Sequence, residues 1–95
     1  MLDAQGRLTI GGELMERAYG CWQDYEKVKL LLDLKNKVIQ VIPEYMEEDK
    51  DLYFIRTTSI DNKKRIFIPK IIRDAFPKAI YMPTVCNNKV CILII

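Results

Sequence analysis

The sequence predicts a mainly β fold with short helices, assembled from two tandem copies of one strand–helix–hairpin unit. Three observations predict it. "LDAQGRLTIGGELMERAYG" from Leu2 and "IDNKKRIFIPKIIRDAFP" from Ile60 align at an offset of 58. "NKVIQVI" from Asn36 and "NKVCILI" from Asn88 then close each unit at an offset of 52. Between these landmarks the chain alternates short runs of branched and aromatic residues with Asp, Asn and Lys turns, which is strand punctuation. The boundaries that follow are repeat one at 1–43, a linker at 44–51 and repeat two at 52–95, the two repeats together making one intertwined domain.

In repeat one, Arg7, Leu8 and Ile10 match Arg65, Ile66 and Ile68 and form the first strand. Gly11 and Gly12 then serve as turn and helix-entry residues, and a short helical pattern follows. Val28 to Leu34 and Val38 to Ile42 flank "KNK" and read as a hairpin. In repeat two, Phe54 to Ile60 and Arg65 to Ile68 flank "DNKK" and read as a hairpin with a basic tip. Pro69 opens a helix of about two turns, with Ile71, Ile72, Ala75 and Phe76 as its apolar face, and Pro77 ends it. Tyr81 to Cys86 and Val90 to Ile95 form the last hairpin around "NNK".

The closing hairpins are apolar on both faces, so each must be covered twice. One copy of about 40 residues cannot supply that cover, and the copies are expected to interlock. The terminal "CILII" needs shielding by the other repeat or by a second protomer. Repeat one lacks the leading strand that "LYFIRTTSI" gives repeat two. A strand from a neighbouring chain would supply it, which predicts a homo-oligomer.

At 95 residues and 11.2 kDa, with 49% hydrophobic and 29% charged residues, the chain has the size and composition of one small globular domain. No apolar run reaches the roughly 20 residues of a membrane span, and "MLDAQGR" lacks the pattern of a signal peptide. A cytoplasmic protein without a membrane partner is expected. The odd set Cys21, Cys86 and Cys91 fits a reducing compartment. Without histidine or a Cys-x-x-Cys pair, and with Ser59 as the one serine, most metal centres and nucleophile–base pairs lack their parts. Gly11-Gly12 is not followed by the Lys-Ser/Thr of a phosphate loop. No enzymatic activity, catalytic residue, metal or cofactor is therefore expected.

Net charge is only +2, yet its distribution is uneven. Residues 1–43 balance to zero, the linker "EYMEEDKD" carries −4, and residues 52–95 carry +6. A basic half points to a polyanionic partner. Lys63, Lys64 and Arg65 sit at the predicted tip, with Lys70 and Arg73 three apart on the helix that follows. Such a cluster matches phosphate contacts or a guanine edge, and Asp61 and Asp74 flank it in position to orient the arginines. An ordinary solvated surface is the other reading of the same residues.

The doubled motif resembles the swapped-hairpin AbrB/SpoVT/MazE/MraZ family of prokaryotic transition-state regulators, whose pattern is approximately D-x-x-G-R-hydrophobic-x-I-P-x-x-hydrophobic-R. Repeat two has Asp61, Arg65, Ile68, Pro69 and Arg73, with Lys64 in place of the glycine. Repeat one has Asp3, Gly6, Arg7 and Ile10, with Gly11 in place of the proline and Met15 in place of the second arginine. The resemblance implies a double swapped-hairpin β-barrel in a single chain. It also implies binding of double-stranded DNA through Arg7, Arg65 and Arg73, with Lys63, Lys64 and Lys70 as basic neighbours. On this reading Arg65→Ala or Arg73→Ala weakens binding and leaves thermal stability nearly unchanged. The alternative is an antitoxin-like or oligomerisation module, partnered by a toxin or another protein, that kept the fold and lost affinity for DNA.

Two smaller features have two readings each. Cys86 and Cys91 are buried hydrophobes or, with a turn centred on Asn88-Lys89, a cross-strand disulfide. Tyr19, Trp22 and Tyr25 cover a core edge or form a partner patch.

Overall fold

The computed structural model of the chain describes residues 2–20 and 26–95. Cys21, Trp22 and Tyr25 therefore lie outside the described residues. The elements run β1 (Arg7–Thr9), α1 (Gly12–Tyr19), β2 (Lys27–Asp33), β3 (Val38–Pro43), β4 (Tyr53–Ser59), β5 (Arg65–Phe67), α2 (Lys70–Ala75), β6 (Tyr81–Cys86) and β7 (Lys89–Ile94). The fold is mainly β, with a two-stranded ribbon β1–β5 and an open five-stranded sheet in the order β4-β2-β3-β7-β6.

Both sheets mix strands of the two repeats. The ribbon pairs Arg7 with Phe67, Leu8 with Ile66 and Thr9 with Arg65. Exchanging each residue for its equivalent 58 positions away maps this ladder onto itself, with the Leu8–Ile66 pair at its centre. In the large sheet, β3 of repeat one pairs with β7 of repeat two, and β4 pairs with β2. The terminal apolar strand β7 thus lies between β3 and β6, shielded by the other repeat.

The expected hairpin of Phe54 to Ile60 with Arg65 to Ile68 does not form. β4 joins the large sheet beside β2, whereas β5 joins the ribbon beside β1. The turn at 61–64 carries the chain between sheets, because β1 offers β5 an identical turn and an apolar partner strand.

The hairpins β2–β3 and β6–β7 lie close to where they were expected, but they are not equivalent at the offset of 52. The first closes over four residues between Asp33 and Val38, the second over two between Cys86 and Lys89. Asn87 and Asn88 both adopt positive φ, 53° and 63°, as a two-residue turn requires. The two-residue difference pairs Ile39 with Val90 as equivalents on the core face, at an offset of 51, and moves Cys91 to the opposite face beside Thr84. A one-residue slip exchanges the faces of a strand. Cys86 pairs with Lys89 in the ladder and its thiol neighbours that of Cys91; both thiols are free, Cys91 buried and Cys86 exposed, so the disulfide reading is corrected and the buried-hydrophobe reading holds for Cys91 but not for Cys86. Burial pushes the Cys91 thiol up to about 11.

One apolar cluster unites the ribbon (Leu8, Ile66), the helices (Met15, Ile72) and the sheet (Val28, Leu30, Ile39, Val41, Ile92). Burial of each such side chain contributes about 1.5–3 kcal/mol. α2 buries less than expected: Ile72 points inward, Phe76 is half-buried, and Ile71 and Ala75 are exposed. Ile71 and Ala75 share one helix face and Ile72 and Phe76 the next, about 100° around, and only the second faces the core. Tyr19, at the end of α1, covers a core edge: its hydroxyl donates to the Val41 carbonyl and accepts from the Val90 N–H at 2.9 Å, bridging β3 and β7. On the outer edge of β6 no strand matches β4 among the described residues.

Candidate nucleic-acid interface

The site grows from one local motif used twice. In repeat two, Asp61 Oδ1 accepts the N–H groups of Lys63 and Arg65, both at 2.9 Å, and Oδ2 accepts Arg65 Nε at 2.8 Å. In repeat one, Asp3 Oδ1 accepts the N–H groups of Gln5 and Arg7 at 2.9 Å, and Oδ2 accepts Arg7 Nε at 2.8 Å. An Asp at the first position is a turn former because its carboxylate substitutes for backbone acceptors two residues on. The fourth residue of each turn needs positive φ, supplied by Gly6 at 80° and by Lys64 at 61°. Each turn then hydrogen-bonds the opposite repeat, Ile10 N to Lys64 O at 2.8 Å and Ile68 N to Gly6 O at 3.0 Å.

Strand alternation directs Leu8 and Ile66 into the core and leaves Arg7, Thr9, Arg65 and Phe67 on the outer face of the ribbon. There the two turns meet. Besides its own Asp, Arg7 Nη1 lies 4.0 Å from Asp61 Oδ2, and Arg65 Nη1 lies 3.8 Å from Asp3 Oδ2. The result is a ring of two arginines and two aspartates, each side chain about one quarter to one third exposed. The N–H of Arg7 is the largest influence holding the Asp3 carboxyl below its ordinary value. For Asp61 burial pulls upward, but hydrogen bonds from Arg65 and Lys63 outweigh it and the carboxyl is again held low.

Arg73 approaches from α2. Its Nε donates to Ile68 O at 3.0 Å, and its guanidinium lies 5.1 Å from the centre of the Phe67 ring. It also covers Gly6 of the other repeat, where an added Cβ would stand 3.0 Å from Arg73 Nη1. Met15, the residue equivalent to Arg73, is fully buried.

The structure therefore brings Arg7, Arg65 and Arg73 onto one ribbon face with the Lys63–Lys64 turn beside it. Lys63 is exposed next to a recess of about 300 Å³ lined by Asp61, Asn62, Lys63 and Arg65. Lys64 is half-buried and its Nζ donates to Asn62 O at 3.0 Å. Lys70 is exposed at the start of α2, and Asp74, also exposed, takes no part in the ring. Sequence reasoning anticipated the positioning role of Asp61 but missed Asp3 and the seating of Arg73 on Gly6. The four-residue Asp–Arg spacing in repeat one was the available signal for Asp3. Because Arg65 and Arg73 are anchored, their removal is expected to cost stability, contrary to the expectation from sequence.

Among the described residues no group of three or more His, Cys, Asp or Glu side chains is placed to hold a metal ion, and no helix is long and apolar enough to cross a membrane. Comparison of the chain with models of known protein families, with curated proteins and with solved structures finds no match.

Proposed function

We propose that this chain is a DNA-binding regulator that presents the outer face of β1–β5 to duplex DNA in a double swapped-hairpin arrangement. The observation that supports it is the pair of Asp–Arg turns lying side by side in an antiparallel ladder that is symmetric under exchange of the repeats. A two-stranded ribbon fits the major groove, and a two-fold arrangement of arginines suits the approximate two-fold symmetry of the duplex. The ring of Arg7, Arg65, Asp3 and Asp61 sums to zero charge, so the attraction to phosphate falls to Lys63, Lys64, Lys70 and Arg73. The arginines of the ring act as preorganised donors whose Nη groups address base edges or phosphates, while the aspartates fix their orientation.

The neutralised ring also favours a second reading, an antitoxin-like or oligomerisation module in which the same contacts only lock the repeats together. Gel-shift titration with duplex DNA from upstream of the chain's own coding region, at two salt concentrations, separates the two. The DNA reading expects a shift that weakens steeply with salt. Absence of any shift at low salt leaves the interaction module.

A further inference from the structure

The two repeats differ on the outside at the open ends of their closing hairpins. Ile80 and Ile95 are 60% and 64% exposed, and the residues at the equivalent places in repeat one, 53 and 51 positions earlier, are Lys27 and Glu44. Where repeat one carries charge, repeat two carries exposed isoleucine. Ile95 borders a groove of about 350 Å³ floored by Phe76, Pro77, Ile94 and Ile95 and rimmed by Lys37 and Lys78. At the end of α1 the equivalent of Pro77 is Tyr19, a phenol seated between β3 and β7. The proline leaves its own end of the fold without such a ring.

The ligand that fits an apolar groove with two lysines at its rim is an aromatic segment bearing carboxylates. This chain carries one. Residues 44–48 read Glu-Tyr-Met-Glu-Glu, with Glu44, Tyr45 and Glu47 exposed, Tyr45 to 71%. Lys29 Nζ, 3.5 Å from Glu48 Oε2, ties the segment to the sheet. The segment cannot seat its tyrosine in its own groove. Lys37 precedes β3 and Glu44 follows it, and six strand residues separate the two by about 20 Å. A second copy related by a two-fold axis can exchange the contact in both directions.

We propose that the chain forms a reciprocal homodimer in which the 44–48 segment of each copy, led by Tyr45, occupies the Lys37–Lys78 groove of the other. This shares no residue with the ribbon face and stands whether or not the chain binds DNA. The interface is small and partly electrostatic, so the dimer belongs to the weak, salt-sensitive class.

The test is sedimentation equilibrium of the full chain from about 10 μM to about 1 mM, the range in which such interfaces associate. The expected result is a monomer–dimer equilibrium weakened by salt. Lys78→Glu and Glu47→Lys are each expected to weaken self-association about tenfold or more, and so is Tyr45→Ser. Mixing Lys78→Glu with Glu47→Lys should restore association, since one groove then regains an opposite charge and the other is native. Circular dichroism and Tm confirm that each exposed-site variant is folded. A wild-type chain that stays monomeric across the range overturns the proposal. So does a dimer indifferent to both reversals, or folded variants that fail to associate on mixing.

Discussion

Arg73 of the second repeat seats its guanidinium on Gly6 of the first, with Nη1 3.0 Å from the place a Cβ would take. The equivalent pair, 58 residues displaced, is Met15 and Lys64. Where the turn residue lacks a side chain, a guanidinium fills the space. Where the turn residue is a lysine, the helix residue is a methionine that turns wholly into the core. Two departures from the repeated motif that look independent in the sequence are thus one compensated exchange.

Gly6→Ala should destabilise the fold by about 1–3 kcal/mol, combining positive-φ strain with displacement of the guanidinium. In an Arg73→Met background the steric part disappears and only the backbone part remains. Chemical denaturation of the two single variants and the double variant measures the difference, and additive costs would mean that the two residues do not communicate.

Lys64→Gly should act in the opposite direction on stability. At φ 61° a lysine is held in the left-handed region, and glycine relieves about 1 kcal/mol of that strain. On the proposed DNA reading the rise in Tm comes with weaker binding, because one cation leaves the ribbon margin. An unchanged or lowered Tm would show that the contacts of the lysine side chain outweigh the backbone gain.

Much of this organisation is legible in the sequence, and the exceptions share a physical cause. The two closing hairpins, the glycine entry to α1 and the Asp61–Arg65 turn follow from local rules of turn chemistry and strand alternation. The partner of β4 does not, because an Asp-led turn is equally competent to close a hairpin or to pass between sheets. The repeat offset also misleads: the letters of "NKV" align Val38 with Val90, whereas the shorter Asn87–Asn88 turn gives Val90 the core-facing position that Ile39 holds in repeat one. Arg73 reads as a surface cation in one dimension, since the glycine beneath it lies 67 residues away in the other repeat. Ile71 likewise reads as core, but it shares a helix face with exposed Ala75, about 100° around from the Ile72–Phe76 face that packs inward.

Part of the acid sensitivity should trace to the ring, beside the part from Asp33, whose carboxyl the Asn36 side chain holds low. Asp3 and Asp61 have folded values held below those of the unfolded chain, about 3.9. Their contribution is therefore fully present above that pH and is lost as pH falls through the lower folded values. Stability measured by denaturation should hold from neutral pH to about pH 4 and fall below it. Asp3→Asn and Asp61→Asn should be less stable at neutral pH and show a shallower acid limb. An acid limb unchanged in both variants would assign it to other carboxylates.

Tyr19→Phe isolates the bridge between the repeats. Removing the hydroxyl deprives the Val41 carbonyl of a donor and the Val90 N–H of its acceptor, where β3 and β7 meet. A cost of about 1–2 kcal/mol is expected in a half-buried site. Hydrogen exchange at Val90 should accelerate more than exchange within β2, and a uniform change across the sheet would count against a local bridge.

Lys63→Ala and Lys70→Ala separate binding from folding, because both side chains are exposed and neither belongs to the ring. Each should leave Tm within the small range typical of surface changes. If each lysine meets one phosphate, the slope of log affinity against log salt should shrink by about 0.9 per substitution. Arg65→Ala, by contrast, should lower Tm and, on the proposed DNA reading, affinity as well, since it removes a ring donor and frees Asp61 and Asp3 to repel phosphate. Lysine variants with an unaltered slope would place the DNA contact away from this face even if the chain binds DNA. A slope reduced in proportion to the number of lysines removed would fix the ribbon and the start of α2 as the surface that meets the duplex.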